Sequence, residues 1–146
     1  MTARAYYGSV LQLLTTSTVV TGQQIEFDEQ DVYVAYLKGS VHLVNGSTLF
    51  FAQYVQIEGT GRGQITRKKY RYHWQAAGGE TRYRWDNARH YPGLATFPDH
   101  VHIGPEEEAR ECSSGPVVRH RPDRKSHLMR YLHGFLCVCN SLRRGL

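Results

Sequence analysis

The sequence predicts an α+β domain in which an antiparallel sheet of about five strands, a meander of hairpins, packs against an N-terminal helix and a C-terminal helix. Runs rich in β-branched and aromatic residues alternate with turn signals through the middle of the chain, which favours hairpins. Apolar residues recur at helical spacing near both ends, which favours two helices. The chain of 146 residues is 40% hydrophobic and 21% charged, as is typical of a folded protein rather than a disordered one.

The elements of the first half follow from apolar spacing and residue type. Residues 3–16 are predicted to form a helix because apolar side chains recur there at helical spacing. Residues 24–29 alternate in polarity and are predicted to form the first strand. Residues 32–43 and 48–57 are rich in β-branched and aromatic residues, so they are predicted to form the next two strands, with Gly39 as a candidate bulge.

Asn45-Gly46 separates these two strands and is the strongest hairpin signal in the chain, because both residues tolerate a positive φ. A three-residue loop with a glycine bulge would gather four apolar side chains on one face: Val41, Leu43, Leu49 and Phe51. A two-residue loop would pair Val41 and Leu43 with Phe50 and Thr48 instead. The longer loop is preferred because it collects more apolar side chains on one face.

The next two strands carry opposite chemistry on their two faces. Rings alternate with basic or polar residues through 69–75 and again through 82–86. Successive side chains of a strand point to opposite faces, so one face is predicted to be aromatic and to pack on a helix. The other face carries the predicted RNA-binding residues Lys69, Arg71, His73, Arg82 and Arg84. Like charges opposed across a ladder are destabilising, which favours a bound polyanion over a merely solvated face.

The charge distribution also indicates an acidic partner. The net charge of +5 is uneven, because residues 1–64 hold three Lys/Arg against five Asp/Glu while residues 65–146 hold fifteen against eight. A basic second half favours RNA or DNA as the partner. A solvated surface that only aids solubility is the alternative.

The sequence also bears on membrane insertion and on the compartment. No apolar run approaches the roughly 18 residues that a membrane-spanning helix requires, which argues against an integral membrane protein. The three cysteines are Cys112, Cys137 and Cys139. An odd count without a CxxC motif argues against a disulfide framework and against a structural zinc knuckle, and it predicts a reducing cytoplasm.

Six residues that suit catalysis or metal binding fall within 17 positions after the basic hairpin: Asp86, Asn87, His90, Asp99, His100 and His102. Because His100 and His102 alternate with Val101, an extended segment would place both imidazoles on one side. Two chemistries fit this group, and a third interpretation is that the imidazoles only cap loops or stack on rings.

In the first chemistry, a ribonuclease needs no cofactor. A base takes the proton of the 2′-hydroxyl, an acid protonates the leaving oxygen, and a cation stabilises the phosphorane. The candidate catalytic residues are His90, His100, His102, Asp86 and Arg84. In the second chemistry, a divalent metal is held by His100, His102 and one of Asp86, His90 or Asp99.

The last third of the chain is less regular. Residues 105–127 are polar and rich in turn residues, which predicts a linker or flexible segment after a domain over residues 1–104. Residues 128–140 carry apolar side chains at helical spacing and are predicted to form a C-terminal helix that packs on the same domain.

Four segments resemble the TumE-like toxins of bacterial and archaeal toxin–antitoxin pairs over about residues 5–104: GSVHLVNGSTLFFAQYV, YRYHWQ, RYRWDNARHYP and FPDHVHIG. The resemblance implies a small α+β domain with an antiparallel sheet and growth inhibition exerted on RNA. It also implies a cognate antitoxin, usually a helix-turn-helix protein. A second copy of the chain is a further candidate partner. The positions that carry over are Tyr70, Tyr72, His73, Arg84, Asp86, Asn87, His90, Pro92, Phe97, Pro98, His100 and His102.

Three positions depart from the pattern of that family. Gln53 stands where the family tends to have Glu, while Tyr91 and Asp99 stand where it usually has His. If the missing groups carry proton transfer, the resemblance implies a weakened or inactive member.

Overall fold

Each strand that the structure describes pairs antiparallel with the next strand along the chain. The computed structural model describes residues 1–58, 64–106 and 108–112. Its elements are α1 (Ala3–Thr15), β1 (Val20–Asp31), β2 (Val34–Leu43), β3 (Thr48–Glu58), β4 (Gln64–Gln75), β5 (Thr81–Asp86), β6 (His100–Ile103) and β7 (Glu108–Glu111). The α+β class, the N-terminal helix and the antiparallel meander are therefore confirmed.

The sheet has seven strands among the described residues, so the prediction of about five was too low. β6 and β7 are only four residues long, and so few residues leave too little alternation to reveal a strand. β7 also lies inside the stretch 105–127 that was predicted to be a linker. The predicted helix over 128–140 lies outside the described residues.

Thr2 caps the N-terminus of α1, because its side-chain hydroxyl accepts a hydrogen bond from the Ala5 amide at 3.1 Å. Four residues at a spacing of three or four are buried on its inward side: Ala3, Tyr6, Val10 and Leu14. The helix packs on β1, β2 and β3. No helix in the described part of the chain combines the length and apolarity needed to cross a membrane.

The β2–β3 hairpin has the predicted three-residue loop. The Leu43 amide donates to the Ser47 carbonyl at 3.0 Å, and the Gly46 amide donates to the Leu43 carbonyl at 2.9 Å. Gly46 takes a positive φ of 80°, which a glycine adopts without strain. The four apolar side chains expected on one face, Val41, Leu43, Leu49 and Phe51, are all buried.

Gly39 does not form the bulge that was predicted, because it pairs in regular register with Ile25 on one side and Phe51 on the other. A Cβ atom at this position would lie 2.1 Å from the Gln24 carbonyl oxygen. The glycine is therefore required by the close approach of β1 to β2.

The sheet has an inner face, on which α1 packs, and an outer face. The β4–β5 register places Tyr72 opposite Trp85 and Trp74 opposite Tyr83 on the inner face. The rings of Trp74, Tyr83 and Trp85 stack along it, with centroid separations of 5.9 and 5.3 Å. Arg71, His73 and Arg84 lie on the outer face, so the two-faced pattern is confirmed for these residues. The predicted packing of the ring face on a helix is not confirmed, because α1 packs mainly on β1, β2 and β3.

Candidate functional site

Cross-strand pairing arranges the outer face in rows of side chains that lie directly opposite one another. One row consists of Phe50, His73, Arg84 and His102. The neighbouring row consists of Ala52, Arg71, Asp86 and His100. Opposed Cβ atoms are about 4.5–5.5 Å apart, so the basic residues of β4 and β5 lead directly to the two histidines of β6.

Asp86, His100 and His102 form a compact group at the β5–β6 end of these rows. His100 Nε2 lies 3.0 Å from Asp86 Oδ1, and His102 Nε2 lies 3.8 Å from Asp86 Oδ2. The three candidate ligand atoms all lie within 4.8 Å of one another. The structure therefore brings together the three residues named in the sequence as a possible metal set.

Backbone contacts orient this group. The Ala88 amide donates to Asp86 Oδ1 at 3.1 Å, which fixes the carboxylate at the end of β5. His100 Nδ1 lies 2.9 Å from the Pro98 carbonyl oxygen. A carbonyl can only accept, so Nδ1 carries the hydrogen, and Nε2 faces the carboxylate.

The group is buried. The exposed fractions of Asp86, His100 and His102 are 6%, 1% and 2%. The ring of Tyr91 stands edge-on to both imidazoles, with centroids 5.0 Å from His100 and 5.6 Å from His102. Tyr91 itself is 38% exposed, so its ring separates the group from solvent.

The other sequence candidates near the group have different places. His90 is exposed and packs edge-on against Tyr91, with 6.4 Å between ring centroids. Asp99 Oδ1 accepts a hydrogen bond from the Tyr70 hydroxyl at 2.7 Å. Among the described residues, the ligand group contains Asp86, His100 and His102, and neither His90 nor Asp99 belongs to it.

Asn87 holds the end of β5 against β4. Its Oδ1 accepts from the Tyr70 amide at 3.0 Å, and its Nδ2 donates to the Lys68 carbonyl at 3.1 Å. These bonds continue the β4–β5 ladder by one residue and keep Asp86 in register. Asn87 is therefore a positioning residue for the group.

Two nearby groups keep their protons. Burial, together with the hydrogen bond to Asp99, raises the pKa of the Tyr70 hydroxyl. Burial, together with the charges of Asp99 and Asp86, raises the pKa of the Cys112 thiol to about 12. Cys112 is therefore a poor nucleophile and a poor metal ligand at neutral pH.

The predicted RNA-binding residues divide into two sets. Lys69 and Arg71 are exposed, and His73 and Arg84 are half-buried, all on the outer face. Arg84 Nε lies 3.4 Å from Asp86 Oδ2. A register shift leaves Arg82 without a directly opposed residue on β4, and its side chain lines a cavity with Trp74 at the end of the hairpin. Arg82 therefore lies apart from the other four.

Sequence reasoning missed two aromatic residues beside these cations. Phe50 is 43% exposed and lies opposite His73, with ring centroids 6.5 Å apart. Tyr54 lies opposite Lys69. Their places follow from the β3–β4 register, which the alternation within β3 alone could not supply. We refer to six of these outer-face residues as the outer platform: Phe50, Tyr54, Lys69, Arg71, His73 and Arg84.

The three residues for which the resemblance predicts a departure from the family pattern also lie in different places. Gln53 is buried on the inner face, and Asp99 binds the Tyr70 hydroxyl. Tyr91 contacts both imidazoles of the ligand group. Of the three, Tyr91 is the one whose ring packs directly against the group.

Comparison with known proteins assigns the family. No curated protein and no solved structure matches the chain. A family model described as Toxin TumE matches residues 10–127, which cover most of the 146 residues and include α1 in part, all seven strands and the Asp86–His100–His102 group. The chain therefore belongs to the TumE toxin family.

Proposed function

We propose that this chain is the toxin component of a toxin–antitoxin system and that it acts on RNA as a small ribonuclease. The observation that best supports this is the continuity of the outer face: Arg71 lies opposite Asp86, and Arg84 lies opposite His102. A polyanion held by the cations is thereby delivered to groups that can take or give protons. Family membership supports the toxin role.

The outer platform has the two chemistries that single-stranded RNA binding requires. Lys69 and Arg71 are exposed cations that can bind successive phosphates. Phe50 and Tyr54 offer rings on which bases stack without regard to sequence. The combination favours RNA over a small anionic ligand, which would need only the cations.

The proposed roles in cleavage follow from exposure. Arg84 stabilises the charge that develops on the phosphate, because its guanidinium lies on the outer face between His73 and His102. His90 is exposed and can exchange a proton with an RNA oxygen directly. In protein without a bound metal ion, His100 and His102 can exchange a proton with RNA once the Tyr91 ring moves aside, since that ring packs against both.

Induced expression with a growth measurement tests the proposal. We expect the wild type to arrest growth and to cleave labelled RNA when purified, and we expect Asp86→Asn and His102→Gln to lose both effects. His42→Gln is the matched control, because His42 is exposed on β2 away from the ligand group. Equal toxicity of wild type, Asp86→Asn and His102→Gln would show that these residues do not carry the activity.

A non-enzymatic RNA-binding or antitoxin-binding module is the second candidate function. The burial of both imidazoles, at 1% and 2% exposure, favours it, because neither ring can reach RNA while Tyr91 covers the group. This function predicts salt-sensitive RNA binding without cleavage.

The first proposal also predicts an antitoxin effect. Under it, co-expression with a helix-turn-helix protein encoded next to the toxin gene would relieve growth arrest.

A further inference from the structure

We infer that Asp86, His100 and His102 bind a divalent transition-metal ion of the zinc class on the outer face of the sheet. A catalytic role for this ion rests on the proposed function, whereas its binding can be measured without RNA. The inference depends on ligand spacing, on the orientation of one imidazole and on the type of the three ligands.

The spacing of the ligand atoms suits a single ion. Zinc binds imidazole nitrogen at about 2.0–2.1 Å and carboxylate oxygen at about 2.0–2.2 Å, so two of its ligands are roughly 3–3.5 Å apart. The nitrogen–oxygen separations here are 3.0 Å for His100 and 3.8 Å for His102. Small side-chain rotations would bring all three atoms to bonding distance, since all lie within 4.8 Å of one another.

The orientation of His100 leaves its lone pair for a cation. Nδ1 donates to the Pro98 carbonyl, so Nε2 of the neutral ring carries a lone pair. This atom is buried, lies 3.0 Å from Asp86 Oδ1 and makes no hydrogen bond among the described residues. A buried nitrogen left without a hydrogen-bond partner is unfavourable, and a cation held beside the carboxylate would bind both its lone pair and the negative charge of Asp86.

A metal-bound histidine commonly donates its other ring N–H to a backbone carbonyl, which fixes the orientation of the ring. Asp86 has a comparable support, because the Ala88 amide donates to its Oδ1. Backbone atoms therefore orient both His100 and Asp86, and backbone atoms do not depend on side-chain rotamers. A proton on His100 Nε2 is the competing explanation for the close approach, and the experiment below separates the two.

The ligand types select the class of ion. Two imidazoles and one carboxylate suit zinc, cobalt, nickel, manganese or iron, whereas magnesium and calcium prefer oxygen ligands. Three protein ligands leave a coordination position for water or a phosphate oxygen, as in catalytic zinc sites. Tyr91 is 38% exposed and stands over the group, so rotation of its side chain provides a path for the ion.

Metal titration of the full chain tests the inference. Protein stripped with EDTA and dialysed is titrated with Zn²⁺ by calorimetry and with Co²⁺ by visible absorption. We expect one ion per chain, a micromolar or tighter affinity, and a rise in Tm on addition of Zn²⁺. Asp86→Asn and His102→Gln are expected to weaken this binding at least about 100-fold, because each removes a ligand. His42→Gln is expected to leave it unchanged.

A Cys137→Ser/Cys139→Ser variant controls for thiol ligands elsewhere in the chain, and we expect it to retain the binding. Circular dichroism on each variant separates lost ligands from lost folding, and the wild-type titration stands even if a variant unfolds. The inference is overturned if the wild type binds no Zn²⁺ or Co²⁺, as protonation of His100 alone would predict. It is also overturned if folded Asp86→Asn binds as tightly as wild type.

The two proposals fail in different ways. Growth arrest and RNA cleavage by a protein that binds no ion would overturn the metal site and leave the proposed function standing. Stoichiometric Zn²⁺ binding that depends on Asp86 and His102, without any RNA cleavage, would support the metal site and contradict the ribonuclease.

Discussion

Gln53 links three elements through a buried side-chain amide. Its Nε2 donates to the Tyr6 hydroxyl oxygen at 3.0 Å, and its Oε1 accepts from the Tyr72 hydroxyl at 2.8 Å. Tyr6 belongs to α1, Gln53 to β3 and Tyr72 to β4. Because the amide satisfies two tyrosine hydroxyls at once, it supports the packing of the helix on the inner face.

Replacing Gln53 with Met should therefore destabilise the fold. The side chains are similar in size, but Met cannot satisfy the buried hydroxyls of Tyr6 and Tyr72. We expect the free energy of unfolding to fall by about 1–3 kcal/mol, measured by urea denaturation. Gln56→Met on the same strand is the control, with an expected change within about 0.5 kcal/mol because Gln56 is only half-buried. Equal losses would argue against the buried network.

The departure at Gln53 from the family pattern thus concerns packing. Its side chain lies on the inner face, whereas Asp86 and the two histidines lie on the outer face. Tyr91 is the one of these residues that affects the ligand group, since its ring packs edge-on against both imidazoles. The resemblance to the family predicts that these residues differ from its pattern, and the sheet register shows on which face each one lies.

At the scale of elements, the helix and the central hairpins are predictable because each follows from local periodicity. α1 was expected over 3–16 and occupies Ala3–Thr15. The β4–β5 hairpin has its predicted two faces where the pairing is regular, from Arg71 opposite Asp86 to Trp74 opposite Tyr83. β6 and β7 lack such runs. β6 pairs with the edge that β5 leaves open, and β7 pairs in turn with β6.

The loop between β5 and β6 was also beyond prediction. It places Tyr91 against the two imidazoles and connects to β7 through the Ala95 amide, which donates to Glu111 Oε1 at 3.1 Å. Such contacts join residues far apart in sequence and leave no periodic pattern. The loop decides the burial of the site, so the ligand residues could be predicted from the sequence but their exposure could not.

Two glycines provide a test of why β1 and β2 approach closely. Gly39→Ala places a Cβ 2.1 Å from the Gln24 carbonyl oxygen and 3.0 Å from Ile25 Cα, so the strands must separate. We expect a loss of about 1–3 kcal/mol in the free energy of unfolding. Gly8→Ala lies in α1, and apart from the neighbouring backbone of the helix itself no described atom lies within 4 Å of the new Cβ, so we expect a gain of up to about 1 kcal/mol.

Chemical denaturation of both variants checks this prediction, and the opposite signs make it demanding. Similar stability of Gly39→Ala and wild type would mean that β1 can shift without cost. A loss in Gly8→Ala would contradict the expectation that helix propensity decides the effect at this position.

At the scale of the whole molecule, the sheet separates packing from chemistry. α1 and the stacked rings occupy the inner face, and the outer platform and the ligand group occupy the outer face. The charges follow this division. Arg4 on α1 is paired with Glu29, and Arg110 on β7 is paired with Glu108, whereas Lys69 and Arg71 lie exposed beside the rings of the platform.

This division predicts which cations control the salt dependence of RNA binding. Lys69→Gln/Arg71→Gln and Arg4→Gln/Arg110→Gln each remove two positive charges, so both double variants have the same net charge. Binding of a 2′-O-methylated RNA oligonucleotide, which cannot be cleaved through its 2′-hydroxyl, is measured by fluorescence anisotropy at several salt concentrations.

We expect the platform variant to reduce the steepness of log K against log salt by about 1.4, because each single-strand phosphate contact contributes about 0.7. The Arg4/Arg110 variant should keep the wild-type slope, since its arginines lie away from the platform. Equal reductions in both variants would mean that net charge, rather than the outer platform, attracts the RNA.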